Sequence, residues 1–172
     1  MDVAALLLDA YGRVQEEVHG AVDGLTVDQL GTRLDPGANS IAWLVWHLTR
    51  VQDDHVADAF DTEQAWTSEG WAERFGLPFD PRETGYGQDS DGVAALAGTD
   101  AGLLLGYYDA VHARTHALLA ELTATDLDRI VDTRWDPPVT LGVRLVSVLS
   151  DDLQHAGQAA YARGVLQRAA AG

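Results

Sequence analysis

Residues 140–164 read TLGVRLVSVLSDDLQHAGQAAYARG. Apolar positions recur through them at helical spacing, and Thr140 stands where an N-cap belongs, so the pattern predicts a long helix over residues 140–168. Asp151 and His155 are four residues apart, about 40° around a helix and roughly 6 Å along it, so both side chains point the same way. Leu141, Val148, Ala159 and Ala162 share that side, which their periodicity assigns to a core. Burying a carboxylate and an imidazole there without partners costs on the order of several kcal/mol. A divalent metal would satisfy both, with a third ligand from elsewhere in the chain. Spacing alone equally allows an Asp–His hydrogen bond with no metal. Asp152 is an alternative ligand or a solvated neighbour.

Working outward, residues 37–55 read GANSIAWLVWHLTRVQDDH. Ser40 suits an N-cap and predicts a helix over residues 40–61. Its first half, residues 41–48, is apolar nearly all round and must be buried on several sides. Its second half, residues 51–60, is acidic and reads as surface. His47 lies in the most apolar part, with Trp43 and Val51 on its side, and is the best third ligand among the chain's six histidines. Metal sites in helical bundles are built from inward side chains of facing helices.

Two further long helices fall over residues 3–22 and 99–121, the latter with a core stripe of Leu104, Tyr108, Val111, Thr115, Leu118 and Leu122. A short helix is expected near 63–75 and a helical turn at 26–30, with loops at 31–39 and 77–92. Residues 131–139 read as an extended stop. Four long helices without a convincing strand pattern predict an all-α four-helix bundle, a single domain over residues 1–172 with short extra helices in the connections.

Composition bounds the chemistry. The 172 residues carry a formal charge of −16, which sets the chain against nucleic acid and anionic membranes. There is no cysteine, so disulfides, thiolate nucleophiles and Cys-ligated zinc are excluded. A metal held by His and carboxylate would be zinc first, with nickel, iron or manganese as alternatives. No basic leader or long apolar run is present, and a cytoplasmic location is expected. His112 and His116 form a rival i, i+4 pair, placed on a flank or the outer face of their helix, where solvated histidines are the plainer reading. His19 and His55 read as structural or exposed. Trp43 and Trp46 read as core, whereas Trp66, Trp71 and Trp135 lie near irregular segments, where an aromatic often lines a pocket mouth. Gly85-Tyr86-Gly87 reads as loop. No phosphate loop or nucleophile elbow occurs.

The two quoted segments together resemble the DinB-like metal-binding superfamily, and more narrowly its branch of mycothiol-dependent enzymes. The resemblance implies a four-helix bundle holding a divalent metal through His47 on the second long helix and the pair Asp151 and His155 on the last. Many members have histidine where this chain has Asp151, and a carboxylate remains an acceptable ligand. The resemblance further implies a thiol-dependent S-transferase or isomerase, with mycothiol or a similar thiol as cosubstrate, an electrophilic second substrate and a homodimer. A chain without cysteine must import its thiolate, and a metal with an open position would lower the thiol's pKa. The electrophile is left open between an activated double bond, an epoxide and an alkyl halide. Gln158 lies close to the metal side by spacing, to orient a ligand or to cap a core hydrogen bond. The alternatives are a metal-binding stress-response or sensor module without turnover, a metal-dependent hydrolase, and a bundle in which Asp151 and His155 merely pair.

Overall fold

The computed structural model describes residues 1–170; Ala171 and Gly172 lie outside the described residues. Four long helices form the bundle: α1 (Val3–Val22), α3 (Ile41–Phe60), α7 (Ala101–Ala120) and α8 (Leu141–Ala170). Helix α3 packs along α8 and α7, and α1 packs along the same two helices. The ring order is therefore α1, α8, α3, α7. The all-α class and the four long elements expected from the sequence are present at nearly the expected bounds.

Local chemistry fixes the helix ends. Asp2, Ser40 and Asp100 each accept a backbone N–H from the first turn of α1, α3 and α7, satisfying donors that have no partner inside the helix. The Thr140 hydroxyl accepts the Val143 amide at 3.3 Å and caps α8. The short turn α2 (Val27–Gly31) carries a full capping box between Thr26 and Gln29. A 3₁₀ turn at Ala124–Asp128 repeats that box with Thr123 and Asp126.

The connections depart from the sequence reading in three places. The expected helix near 63–75 is two short helices, α4 (Ala65–Ser68) and α5 (Trp71–Phe75), broken at Gly70, whose φ of 73° cannot continue a right-handed helix. The loop at 77–92 runs into a further short helix, α6 (Ser90–Ala94), capped by Asp89. Residues 130–140 hold an antiparallel ribbon of β1 (Ile130–Asp132) and β2 (Val139–Thr140), too short for alternation to announce it.

The bundle also buries polar residues that periodicity assigned outward. In the acidic half of α3, Gln52, Asp53, Val56, Ala57 and Ala59 are buried, because α4, α7 and α8 cover that half. On α7, Tyr107, His112 and Leu119 join the core while Leu118 is half-buried, as is Leu122 just past the helix end. His112 is therefore not a solvated surface histidine. It is buried and stacks on Tyr108, while His116 is exposed. The inner stripe of α8 runs through Leu141, Leu145, Val148, Asp152, Ala156, Ala159 and Ala162. Its centre is thus occupied by Asp152, and Asp151 and His155 sit on its shoulder.

Candidate metal centre

That shoulder faces α3. His47, Asp151 and His155 each bring one ligand atom to a cluster in which all three lie within 4.8 Å of one another. His47 is buried; the Asp151 and His155 side chains are 20% and 19% exposed. The three residues singled out in the sequence are brought together, on the pair of helices most extensively packed in the bundle. Among the described residues His112 and His116 are not joined by a third ligand, and His19 and His55 are taken up elsewhere: His19 Nε2 pairs with Asp109 at 2.8 Å, and His55 Nδ1 lies 3.4 Å from Asp54. Asp152 is not in the cluster; it is fully buried on the neighbouring side of α8, and neither of its oxygens has a hydrogen-bond partner among the described residues. Burial, followed by the Asp151 charge, pushes its carboxyl well above the usual range.

Each imidazole of the cluster has one nitrogen committed away from it. His47 Nδ1 meets the Thr84 carbonyl, so that nitrogen carries the proton and Nε2 keeps its lone pair. His155 Nδ1 lies 3.3 Å from Gln158 Oε1, and its Nε2 lies 3.7 Å from Asp151 Oδ1. Gln158 thus orients a site histidine. Burial lowers the His47 pKa, opposed in part by the Thr84 carbonyl, which keeps the ring neutral and able to donate its lone pair near pH 7. Asp151 Oδ2 is buried and without a hydrogen-bond partner among the described residues. An orphaned buried carboxylate oxygen beside two imidazoles with free lone pairs fits a divalent cation and leaves a fourth position for a ligand.

The loop at 83–88 supplies what the sequence reading missed. Three side chains along α3 hold it. Trp43 Nε1 donates to Gln88 Oε1 at 2.8 Å, His47 holds the Thr84 carbonyl, and Arg50 Nε donates to the Glu83 carbonyl at 3.3 Å. Gly85 fits against this face with a φ of 101°; a Cβ there would stand 2.6 Å from His47 Nδ1 and 3.1 Å from both Trp43 and Trp46. Glycine is required on both counts. Trp43 stacks on the His47 ring at 4.6 Å and 15°, so it is core and also wall of the site. Tyr86 lies edge-on to His47 at 5.1 Å. Burial, with the Asp151 carboxylate next, pushes its phenol up to about 12, so it keeps its proton at neutral pH. Two glycines flanking a tyrosine in an otherwise polar loop were the available signal, but they mark a turn without saying what the turn covers.

A family model described as the DinB superfamily matches residues 10–159. A crystal structure described as the conserved protein of locus from Enterococcus faecalis is similar over 95% of this chain and 96% of that one, with 30% identity and a TM-score of 0.87. No curated protein matches the chain.

Proposed function

This chain belongs to the DinB superfamily, and from that premise we propose that it is a divalent-metal-dependent thiol S-transferase, or a related thiol-dependent isomerase, using mycothiol or a similar small thiol. The observation that carries this reading is the donor set itself: two oriented imidazoles and an orphaned carboxylate, half-open to solvent, in a chain with no cysteine of its own. His47, Asp151 and His155 would hold the metal. Zinc suits the two-nitrogen, one-oxygen set best, with nickel, iron or manganese as alternatives. Bound there, the metal would supply Lewis acidity that lowers the pKa of a coordinated thiol.

The remaining work falls to the chain. Thr84 and Gln158 fix which nitrogen of each histidine faces the site, as outer partners do in metal centres. Trp43 and the loop at 83–88 exclude water from the His47 side. Tyr86 holds a proton at its phenol oxygen beside Asp151 and can donate a hydrogen bond to an electrophile's developing negative charge. The second substrate is an electrophile accepting the thiol sulfur.

The test is conjugation of mycothiol to a fluorogenic alkyl halide by zinc-loaded protein. Turnover should require both metal and thiol and vanish in Asp151→Ala. Zinc bound in stoichiometric amount with no turnover for any thiol would favour a binding or sensor module. Turnover without added thiol would favour hydrolysis.

A further inference from the structure

The outer face of α8 is left without cover. Along it Val143, Val146, Ser150, Leu153, Gly157 and Tyr161 recur at helical spacing, and all six are exposed. The four large ones, Val143, Val146, Leu153 and Tyr161, are 54%, 60%, 46% and 69% exposed. Every exposed residue between Val143 and Tyr161 is uncharged, whereas the outer face of α1 carries exposed Asp9, Arg13, Glu16 and Glu17. A chain of formal charge −16 thus keeps about five turns of this face free of charge. Single exposed apolar residues are ordinary, but a contiguous stripe of them marks an interaction surface.

The two halves of the stripe differ in shape. The N-terminal half is convex, with Val143 and Val146 standing into solvent. The C-terminal half borders a mostly apolar groove of about 570 Å³, lined by Leu34, Ala38, Leu44, Gly157, Tyr161 and Ala162. Gly157 leaves room in it, since a Cβ there would meet nothing within 4 Å. Val146 lies about 16 Å along the helix from Gly157, so a copy cannot fill its own groove. A second copy running antiparallel can. A two-fold axis near residues 151–152 sets Val146 over the partner's Gly157, Val143 against the partner's Tyr161 and Leu153 beside the partner's Ser150. Each contact then occurs twice, as an isologous interface requires. Charge favours the same occupant. Two copies of this acidic chain repel, and here they meet without setting acid against acid; a basic partner would be drawn to the acidic faces instead.

We propose that the chain forms an antiparallel dimer through α8, with Val146 of each copy seated in the groove beside Gly157 of the other. The resemblance noted in the sequence implied a homodimer; the shape and charge of α8 supply its face and register. The strip is about 27 Å long and one helix, about 10 Å, wide, at the small end of specific interfaces, so the dimer is of micromolar strength. Repulsion between the remaining acidic surfaces opposes it, and salt relieves that repulsion. None of this depends on the metal-thiol reading.

Sedimentation of the full chain should show a monomer–dimer equilibrium that tightens at least about two-fold between about 0.05 and about 0.5 M salt. Val146→Glu should weaken it at least about ten-fold, because two copies then each carry a charge into the partner's groove. Ala117→Glu, on an exposed position of α7 across the bundle, should leave it unchanged. The register is read by disulfides, since the chain has no cysteine of its own. Under oxidation Ser150→Cys should cross-link to itself, Val143→Cys should not, and Val143→Cys mixed with Tyr161→Cys should give the mixed dimer. All these positions are exposed, and far-ultraviolet circular dichroism checks that each variant stays helical. A monomer at every concentration, or an equilibrium indifferent to Val146→Glu, would overturn the proposal. So would weakening by salt, which would place an ion-paired face elsewhere. Self-cross-linking of Val143→Cys would overturn the antiparallel register.

Discussion

Arg50 and Asp53 lie one and two turns beyond His47 on α3, and all three are buried, with 0%, 4% and 3% exposure. The two regions treat their carboxylate oxygens in opposite ways. Asp53 Oδ1 accepts the Ala65 amide at 2.9 Å; Oδ2 accepts the Trp66 amide at 2.8 Å and the Tyr107 hydroxyl at 2.9 Å. Arg50 donates to Glu83, Gln64 and Tyr107 and lies over the Trp66 ring. Across on α8, Asp151 leaves one buried oxygen without a partner and Asp152 leaves two. Both regions bury carboxylates. One spends them on ordering α4, whose first amides they cap; the other leaves donors over for a ligand. Satisfaction of the carboxylate oxygens, rather than burial or charge, separates the two regions; Arg50 Nη2 in the structural cluster is itself buried without a partner among the described residues.

The comparison breaks most easily at Asp53. Asp53→Ala should cost about 3–5 kcal/mol in urea unfolding, because it strands buried Arg50 and two amides. Metal content of the folded fraction should be unchanged. The same operation at the open cluster should leave metal-free stability nearly intact: Asp151→Asn should shift the unfolding midpoint of stripped protein little, since its orphaned oxygen loses nothing. A comparable loss in both variants would erase the distinction. With metal present the roles reverse. His47→Ala and His155→Ala should each weaken zinc binding by at least about 100-fold in a chelator competition, since loss of an outer partner alone typically costs 10–100-fold.

Gly85 tests whether the loop positions the site. Gly85→Ala should lower zinc affinity by roughly ten-fold while leaving the four helices folded by far-ultraviolet circular dichroism, because the new methyl displaces the His47 ring. An unchanged affinity would make the loop mere cover. The smallest expected effect is at Asp152. Its carboxyl is raised in the fold, so its contribution is fully present below its ordinary value of 3.8 and is lost as pH rises toward the folded value. Asp152→Asn should therefore gain about 1 kcal/mol in stripped protein at pH 8 and flatten the decline of stability above pH 4. A loss at pH 8 would show that the ionised carboxylate has a partner.

The fold was legible because α1, α3, α7 and α8 each carry a cap residue and a long apolar period, both written locally in the chain. Asp151, His155 and His47 were legible for a related reason: a charged pair at i, i+4 and a histidine amid tryptophans stand out against that period. Spacing failed where one helical position decides a side. It could not tell Asp151 from Asp152, which differ by 100° of rotation, and it set His112 and Asp53 outside a core that α4 and α7 in fact cover. Thr84, Gly85, Tyr86 and Gln88 come to the site from a loop some forty residues away. By itself, the sequence determined the helices, their order and the absence of any thiol, and it singled out three candidate donors. Only the tertiary structure decided which polar atoms find partners. Hydrogen bonding between segments distant in sequence depends on where packed helices place a side chain to within a few ångströms, and no local period encodes that.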